Sequence, residues 1–216
     1  MQWINFITLW VLMSVHSAGG LYAQSEIYLI RHAQVELDTP GWISYKTAIA
    51  HKQTYNQTPI VDFDADEVLA KIDHSNDIDT VFVSPQARAR QTATQLFGSR
   101  VHYRVEPRLK ELDYPVVRIP VLVMPTAVWL SISRVTWMMG LNNRQMPTLK
   151  EEMQELKIVA DELIDFAGRN QRTVVVAHGM VNRQLKKILN RRGWRVAENE
   201  GHKNLAVNKL VLQQND

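Results

Sequence analysis

Apolar runs along this chain stop, one after another, at charged or hydrogen-bonding side chains. Ile27-Tyr28-Leu29-Ile30 runs into Arg31-His32, Thr80-Val81-Phe82-Val83 into Ser84, and Thr173-Val174-Val175-Val176-Ala177 into His178. Short apolar runs rich in β-branched residues read as buried strands. Val101–Glu106 alternates apolar and polar positions, as a half-buried strand does, and Leu205–Leu212 reads as the last strand. Between these runs lie amphipathic stretches with readable ends. Ser84-Pro85 suits the cap and first position of a helix reaching Phe97, with Gly98 as its stop. Thr148 and Glu151 form a capping box, and Leu149, Met153, Leu156, Leu163 and Ala167 keep a helical period to Gly168. After His178, Val181, Leu185, Ile188 and Leu189 share one face. Arg183, Lys186, Lys187, Arg191 and Arg192 occupy much of the rest, and read as a solvated basic face. Alternation of this kind predicts an α/β fold with a mostly parallel central sheet.

Two segments break the pattern. Residues 119–141 are strongly apolar, with Trp129, Trp137, Met138 and Met139, and Arg134 is their only charge. Pro120, Pro125 and Arg134 argue against a membrane span. The segment reads as an inserted lid or side wall over the fold; contact with a membrane surface is the other reading. Residues 1–24 contain no Lys, Arg, Asp or Glu, and an apolar stretch from Trp3 to Val15 precedes small residues and Ala23. This reads as a signal peptide cleaved near Ala23 or Gln24, with an uncleaved membrane anchor as the alternative. The protein is then exported, periplasmic or secreted, and fold reasoning starts at Ser25.

The chain has 216 residues, enough for one substantial domain after the leader. Its 25 Lys and Arg against 22 Asp and Glu leave a net charge of +3, and the signs are interspersed, so nucleic acid is not an expected partner. There is no cysteine, which excludes disulfides, thiolate metal sites and cysteine nucleophiles. Asp62, Asp64 and Asp66 resemble the start of a calcium loop. Glu67 stands at the required glycine and Asp73 at the closing glutamate, so this is a solvated acidic turn.

Ligands of open α/β sheets bind at the carboxyl ends of the strands. The residues gathered there suit a phosphate ester. A phosphate dianion repels anionic nucleophiles, whereas an unprotonated imidazole is neutral and can accept the phosphoryl group. His32 fits that role. Arg31 and Arg88 offer permanently charged forks for the phosphoryl oxygens, and His178 can donate to the same oxygens. The carboxyl of Glu111 can protonate the departing alkoxide.

Arg31-His32, Ser84-Pro85-x-x-Arg88-Ala89-x-Gln91-Thr92-Ala93, Leu109-x-Glu111 and His178-Gly179-x-x-x-Arg183 together resemble the histidine phosphatase superfamily, which includes the cofactor-dependent phosphoglycerate mutases. The resemblance extends from Ile27 to about Leu212 and takes in Gly201-His202-Lys203-Asn204 as a late loop. It implies a three-layer α/β/α sandwich and a two-step reaction without metal or cofactor. His32 would be the nucleophile; Arg31, Arg88 and His178 would hold the phosphate. Glu111 would be the proton donor and then the base for water. Two positions depart from the family. Ala33 stands where glycine is common. Asp38 stands where asparagine is common, and a carboxylate there would oppose a dianion, so that role is not transferred.

The expected function is an exported phosphomonoesterase, a histidine acid-type phosphatase. A phosphomutase and a non-catalytic phospho-ligand-binding protein are the alternatives. Export argues against the first, and the joint presence of His32, Glu111 and His178 against the second. The expected substrate is a small phosphate ester with an apolar or ring-bearing leaving group, or a lipid-linked phosphate. Trp42, Tyr45, Trp129 and Trp137 are candidate walls for it, in the stretches 41–59 and 119–141 that would shape the pocket mouth. His202 either walls the pocket or caps a turn. His51, His74 and His102 read as surface residues.

Overall fold

The computed structural model describes residues 24–143 and 146–213. The leader read over 1–24 falls almost wholly outside them. Six strands form the main sheet: β1 (Glu26–Arg31), β3 (Thr80–Val83), β4 (His102–Val105), β6 (Arg172–Ala177), β7 (Trp194–Asn199) and β8 (Val207–Leu212). Their spatial order is β4-β3-β6-β1-β8-β7. β1 pairs in parallel with β6, and β3 with β6 and β4, whereas β8 runs antiparallel to both β1 and β7.

The strands' two-residue period sorts the core into two layers. Ile27, Leu29, Val175 and Ala177 face helices α5 (Leu149–Asn170) and α6 (Gly179–Arg191), where Leu156, Leu163, Leu185 and Leu189 are buried. Tyr28, Ile30, Val174 and Val176 face the other way, toward α2 (Ala65–Leu69) and α3 (Ala87–Phe97) with Val68, Leu96 and Phe97. The fold is thus α/β in three layers, as the chain's pattern predicts.

A third, smaller core stands apart. It joins β2 (Trp42–Ser44), α1 (Tyr45–Gln57), β5 (Val123–Pro125) and α4 (Thr126–Met138) through Ile43, Ala48, Val116 and Trp129. β2 and β5 pair antiparallel as a separate two-stranded sheet. The apolar insertion is therefore a packed subdomain built on α1. Its outward stripe, Val128, Ile132, Val135 and Met139, remains exposed. No helix among the described residues is long and apolar enough to cross a membrane.

Local expectations meet mixed outcomes. The capping box at Thr148 forms, with Glu151 reaching back to the Thr148 backbone. The helix continues past Gly168 to Asn170 and stops where Gln171 turns left-handed. Gly98 does end α3, with φ of 58°. Ser84 does not cap α3: the helix starts at Ala87, because the Ser84 hydroxyl is engaged by His178. The last strand starts at Val207, since Leu205 is left-handed. Asp64 caps α2 by accepting from Asp66 N and Glu67 N, which gives the acidic run a structural use.

Trp129 is fully buried and its indole Nε1 donates to the Ile43 carbonyl at 2.7 Å. Trp129→Ala removes the centre of the small core and that carbonyl's indole donor, a loss of about 3–5 kcal/mol for such truncations. Hydrogen exchange in α1 and 119–141 is expected to accelerate while the amides of β1 and β6 stay protected. Unchanged exchange in the insertion would refute this separation of cores.

Candidate active site

The site is built where β1, β3 and β6 end. The backbone of Arg31–Ala33 is tied on every side. Arg31 N donates to Ala206 O, His32 N to Ala177 O at 3.0 Å, and Leu205 N to Arg31 O at 3.1 Å. Asn204 Nδ2 donates to His32 O, and Ala33 N to Thr92 Oγ1, whose hydroxyl donates to Arg88 O. Leu205 adopts φ of 59°, unusual for leucine. The strain is held at the turn that fixes Arg31 and His32, as expected of a functional site.

His32 is buried, and its Nδ1 lies 2.7 Å from Ala33 O. A carbonyl only accepts, so Nδ1 carries the proton and Nε2 keeps its lone pair. Arg88 Nε donates to that lone pair at 3.2 Å. Arg88 is only 2 % exposed. Its Nη1 donates to Asn56 Oδ1 and its Nη2 to Gln86 Oε1, both neutral groups. Among the described residues no carboxylate ion-pairs with it. A buried guanidinium without a counter-charge is costly, and an anion beside it offsets that cost.

His178 closes the site from β6, with its ring centroid 5.1 Å from that of His32. Its Nε2 lies 2.7 Å from Ser84 Oγ, which itself accepts from Gln86 N. With that acceptance made, the hydroxyl proton can point at Nε2, leaving Nδ1 protonated. Nδ1 is buried and has no hydrogen-bond partner. It lies 3.6 Å from Glu111 Oε2. Arg31 Nε is likewise buried and unpartnered, while its Nη1 donates to the His202 carbonyl. Unmet buried donors converging on one place call for a ligand that accepts from them. Gly179 makes room for this arginine: a Cβ there would lie 3.3 Å from Arg31 Nε.

Electrostatics follow from burial. Desolvation pushes His32 down to about 3, and Arg88 and Arg31 add to the effect. Desolvation, then Arg88, His32 and Arg31, hold His178 well below the usual range. Both rings are neutral at physiological pH. Desolvation also raises Glu111 against the pull of Arg134, Arg88 and Arg31, so its acid form persists above the usual carboxylate range. Gln86 Oε1 accepts from Glu111 N at 2.9 Å and steadies this loop.

His32, Glu111 and His178 bring one ligand atom each within 4.8 Å of one another, a spacing that a metal ion could use. The guanidinium of Arg88 already occupies the His32 lone pair, and Arg31 stands alongside. Those charges favour an anion over a dication.

Two cavities open from this centre. The larger, about 340 Å³, is walled by Leu37, Tyr55, Arg88, Glu111, Leu130 and Arg134 among others. The smaller, about 210 Å³, is walled by Arg31, Glu111, Arg134, Gly179, Met180, Arg183 and His202. His202 thus lies at the site. The aromatic residues expected as pocket walls do not: Trp42, which is exposed, and Tyr45 line neither cavity, and neither do Trp129 and Trp137, which are buried in the cores. Their indole nitrogens donate to Ile43 O and Pro147 O, which explains why both rings point inward. Asp38 is exposed and outside both cavities. His51 lines the larger cavity, unlike His74 and His102, which are exposed. Asn56, Gln86 and Arg134 were given no role by sequence reasoning. Only the isolation of Arg134 as the sole charge of the insertion marked any of them.

The profile of the histidine phosphatase superfamily (branch 1) matches residues 27–216. Among solved structures, the chain is similar to a phosphoserine phosphatase from Entamoeba histolytica, with 18% identity, a TM-score of 0.51, and 85% of this chain and 89% of that one covered. A mycobacterial glucosyl-3-phosphoglycerate phosphatase is similar at 16% identity and a TM-score of 0.51, covering 86% of this chain and 92% of that one. At such identities the likeness is one of fold. No curated protein matches the sequence.

The depressed histidines make stability pH-dependent. Imidazoles of the unfolded chain bind protons below about 6.5, while folded His32 refuses them down to about 3. The melting temperature is therefore expected to fall as pH drops through that window. His32→Asn should shrink the fall; an identical pH slope in the variant would contradict the burial argument.

Proposed function

The chain belongs to the histidine phosphatase superfamily (branch 1), and from that premise we propose that it is a phosphomonoester hydrolase acting through a phosphohistidine on His32. The observation that carries this reading is the neutral His32 Nε2 directed at Arg88, a buried cation that forms no ion pair with a carboxylate among the described residues. The phosphoryl group sits against Arg31, Arg88 and His178. Arg31 Nε and His178 Nδ1 give it the buried donors that otherwise lack partners.

His32 Nε2 attacks phosphorus in line, and the bond from phosphorus to the ester oxygen breaks. Arg88 Nε, released from the lone pair, turns to the phosphoryl oxygens, whose charge the guanidinium forks stabilise. Glu111 delivers its proton to the leaving oxygen, which departs as an alcohol. Water then attacks the phosphohistidine, the resulting Glu111 carboxylate takes its proton, and inorganic phosphate leaves with His32 restored. No step requires a metal ion.

Export through the leader at 1–24 belongs to the same proposal and rests on the sequence. The apolar outward face of α4 supports keeping lipid-linked esters and membrane-surface contact within it.

Hydrolysis of a panel of monoesters, run with and without chelator, tests the proposal. The chelator is expected to change nothing. His32→Ala should abolish both turnover and acid-labile phosphoryl-enzyme; turnover that survives in it would overturn the proposal. Glu111→Gln should lose about 10²–10⁴ in rate on alkyl phosphates. With p-nitrophenyl phosphate, whose leaving group needs no proton, kcat/KM, which reports transfer to His32 alone, should fall much less, while kcat falls and phosphoenzyme accumulates because water lacks its base.

In wild-type kcat/KM, activity is expected to fall on the alkaline side as free Glu111 ionises, at a pH above the ordinary carboxylate range. His32 sets the acid limb, near its depressed value of about 3. An alkaline limb that persists in Glu111→Gln would assign it elsewhere.

A further inference from the structure

The smaller cavity contains more positive charge than a single phosphate needs. A phosphomonoester dianion carries two negative charges at neutral pH. Arg31 and Arg88, two guanidinium groups, match it. Arg134 and Arg183 supply two further positive charges in the smaller cavity, and Glu111 is its only carboxylate. Glu111 is protonated when it serves as the acid, so it cancels neither. Among the described residues Arg134 and Arg183 form no ion pair with any carboxylate.

Arg134 is also held in place. Its guanidinium lies 4.8 Å from the centre of the buried Tyr114 ring, and Lys52 Nζ lies 4.1 Å from the same centre. Lys52 is neutralised by Asp113. Arg134 is therefore held in place against Tyr114, at the wall of both cavities. It borders both cavities, at the point where they meet Arg31 and Glu111. Arg183 follows His178 on α6, and His202 comes from the loop that holds Arg31. The positive field there is also felt by His202, which desolvation first, then Lys186, Arg183, Arg31 and Lys187, lower from the ordinary imidazole range.

We propose that the substrate carries a second anionic group, carboxylate or phosphate, which binds between Arg134 and Arg183 in the cavity beside the catalytic centre. The proposal rests on the phosphatase reading and deepens it. The organic part of the ester lies toward Leu37, Tyr55 and Leu130 in the larger cavity, and the second anion in the smaller one. Specificity of this kind comes from charge and not from the buried tryptophans.

Three probes of similar size test it: propyl phosphate, 3-phosphooxypropanoate and propane-1,3-diol bisphosphate. Wild-type kcat/KM is expected to favour one or both doubly anionic probes over propyl phosphate by at least about tenfold, as one charge-assisted contact implies. The favoured arm identifies the second anion as carboxylate or phosphate. Arg183→Gln and Arg134→Gln should each collapse that ratio, and Arg183→Glu should invert it. Because Arg183 is exposed, its variants should fold normally. Equal rates on all three probes, or a preference that survives both glutamine variants, would overturn the inference.

Calorimetry with the His32→Ala protein separates this inference from the phosphatase reading. If wild type hydrolyses no probe, tighter binding of a doubly anionic probe to His32→Ala, lost on adding Arg183→Gln, upholds the subsite while hydrolysis fails. Equal binding of all three probes removes the subsite whatever the rates.

Discussion

Everything in this site depends on one contact, the donation from Arg88 Nε to the lone pair of His32 Nε2. It joins a permanent cation to a neutral base inside the protein, and among the described residues no carboxylate forms an ion pair with that cation. Burial then acts on both partners in one direction. The imidazole resists protonation beside a guanidinium, so it stays neutral far below its usual titration range. The guanidinium cannot lose its charge, so the pocket stays attractive to an anion. In the proposed reaction a single desolvated pair would supply both the attacking lone pair and the binding field for the phosphoryl group.

Holding that pair requires backbone precision, and the fold supplies it from several distant segments. β1 delivers Arg31 and His32, α3 delivers Arg88, and β6 delivers His178. Thr92 links two of these directly, donating to Arg88 O while accepting from Ala33 N. The loop before β8 adds Asn204 on the His32 carbonyl and a left-handed Leu205 whose amide bonds to Arg31 O. The insertion has its own core, so α4 can place Arg134 at the cavity edge without disturbing the sheet. Separate cores of this kind allow selectivity and chemistry to vary independently.

Much of this was legible in the sequence because its causes are local. Strand runs ending in Arg31-His32, Ser84 and His178 mark the carboxyl end of a parallel sheet, and period alone assigns Ile27 and Tyr28 to opposite layers. What escaped depends on long-range partners. Ser84 before Pro85 has all the chemistry of a helix cap, but a histidine 94 positions later claims its hydroxyl. Trp129 and Trp137 are as suited to a pocket wall as to a core; carbonyls at Ile43 and Pro147 decide the matter. Arg183 looks solvated beside Lys186 and Lys187, and only the packing of α6 beside the late loop brings it to a cavity. β7 is mostly exposed, with Trp194 its one buried residue, so its apolar signal is weak. Helical period identifies a face; it does not say which residue of a polar face meets a ligand.

In the proposed reaction the same accounting of charge would let one carboxyl group serve as acid and then as base. In the empty site Glu111 is pulled in two directions, desolvation favouring its neutral form and Arg134, Arg88 and Arg31 favouring its charged form. A bound dianion neutralises those arginines from Glu111's point of view, so binding itself raises the carboxyl further and keeps the proton where the leaving group needs it. In the proposed reaction, once the proton has left with the alcohol, formation of the phosphohistidine would have turned the neutral His32 imidazole into a cationic one within 4.8 Å of the Glu111 carboxyl group. That new positive charge stabilises the carboxylate and makes it available to water. A second anion leaving with the alcohol would act the same way, uncovering Arg134 beside the carboxylate when a base is required. The two halves of the proposed reaction would thus set the protonation state of Glu111 through the arginines around it.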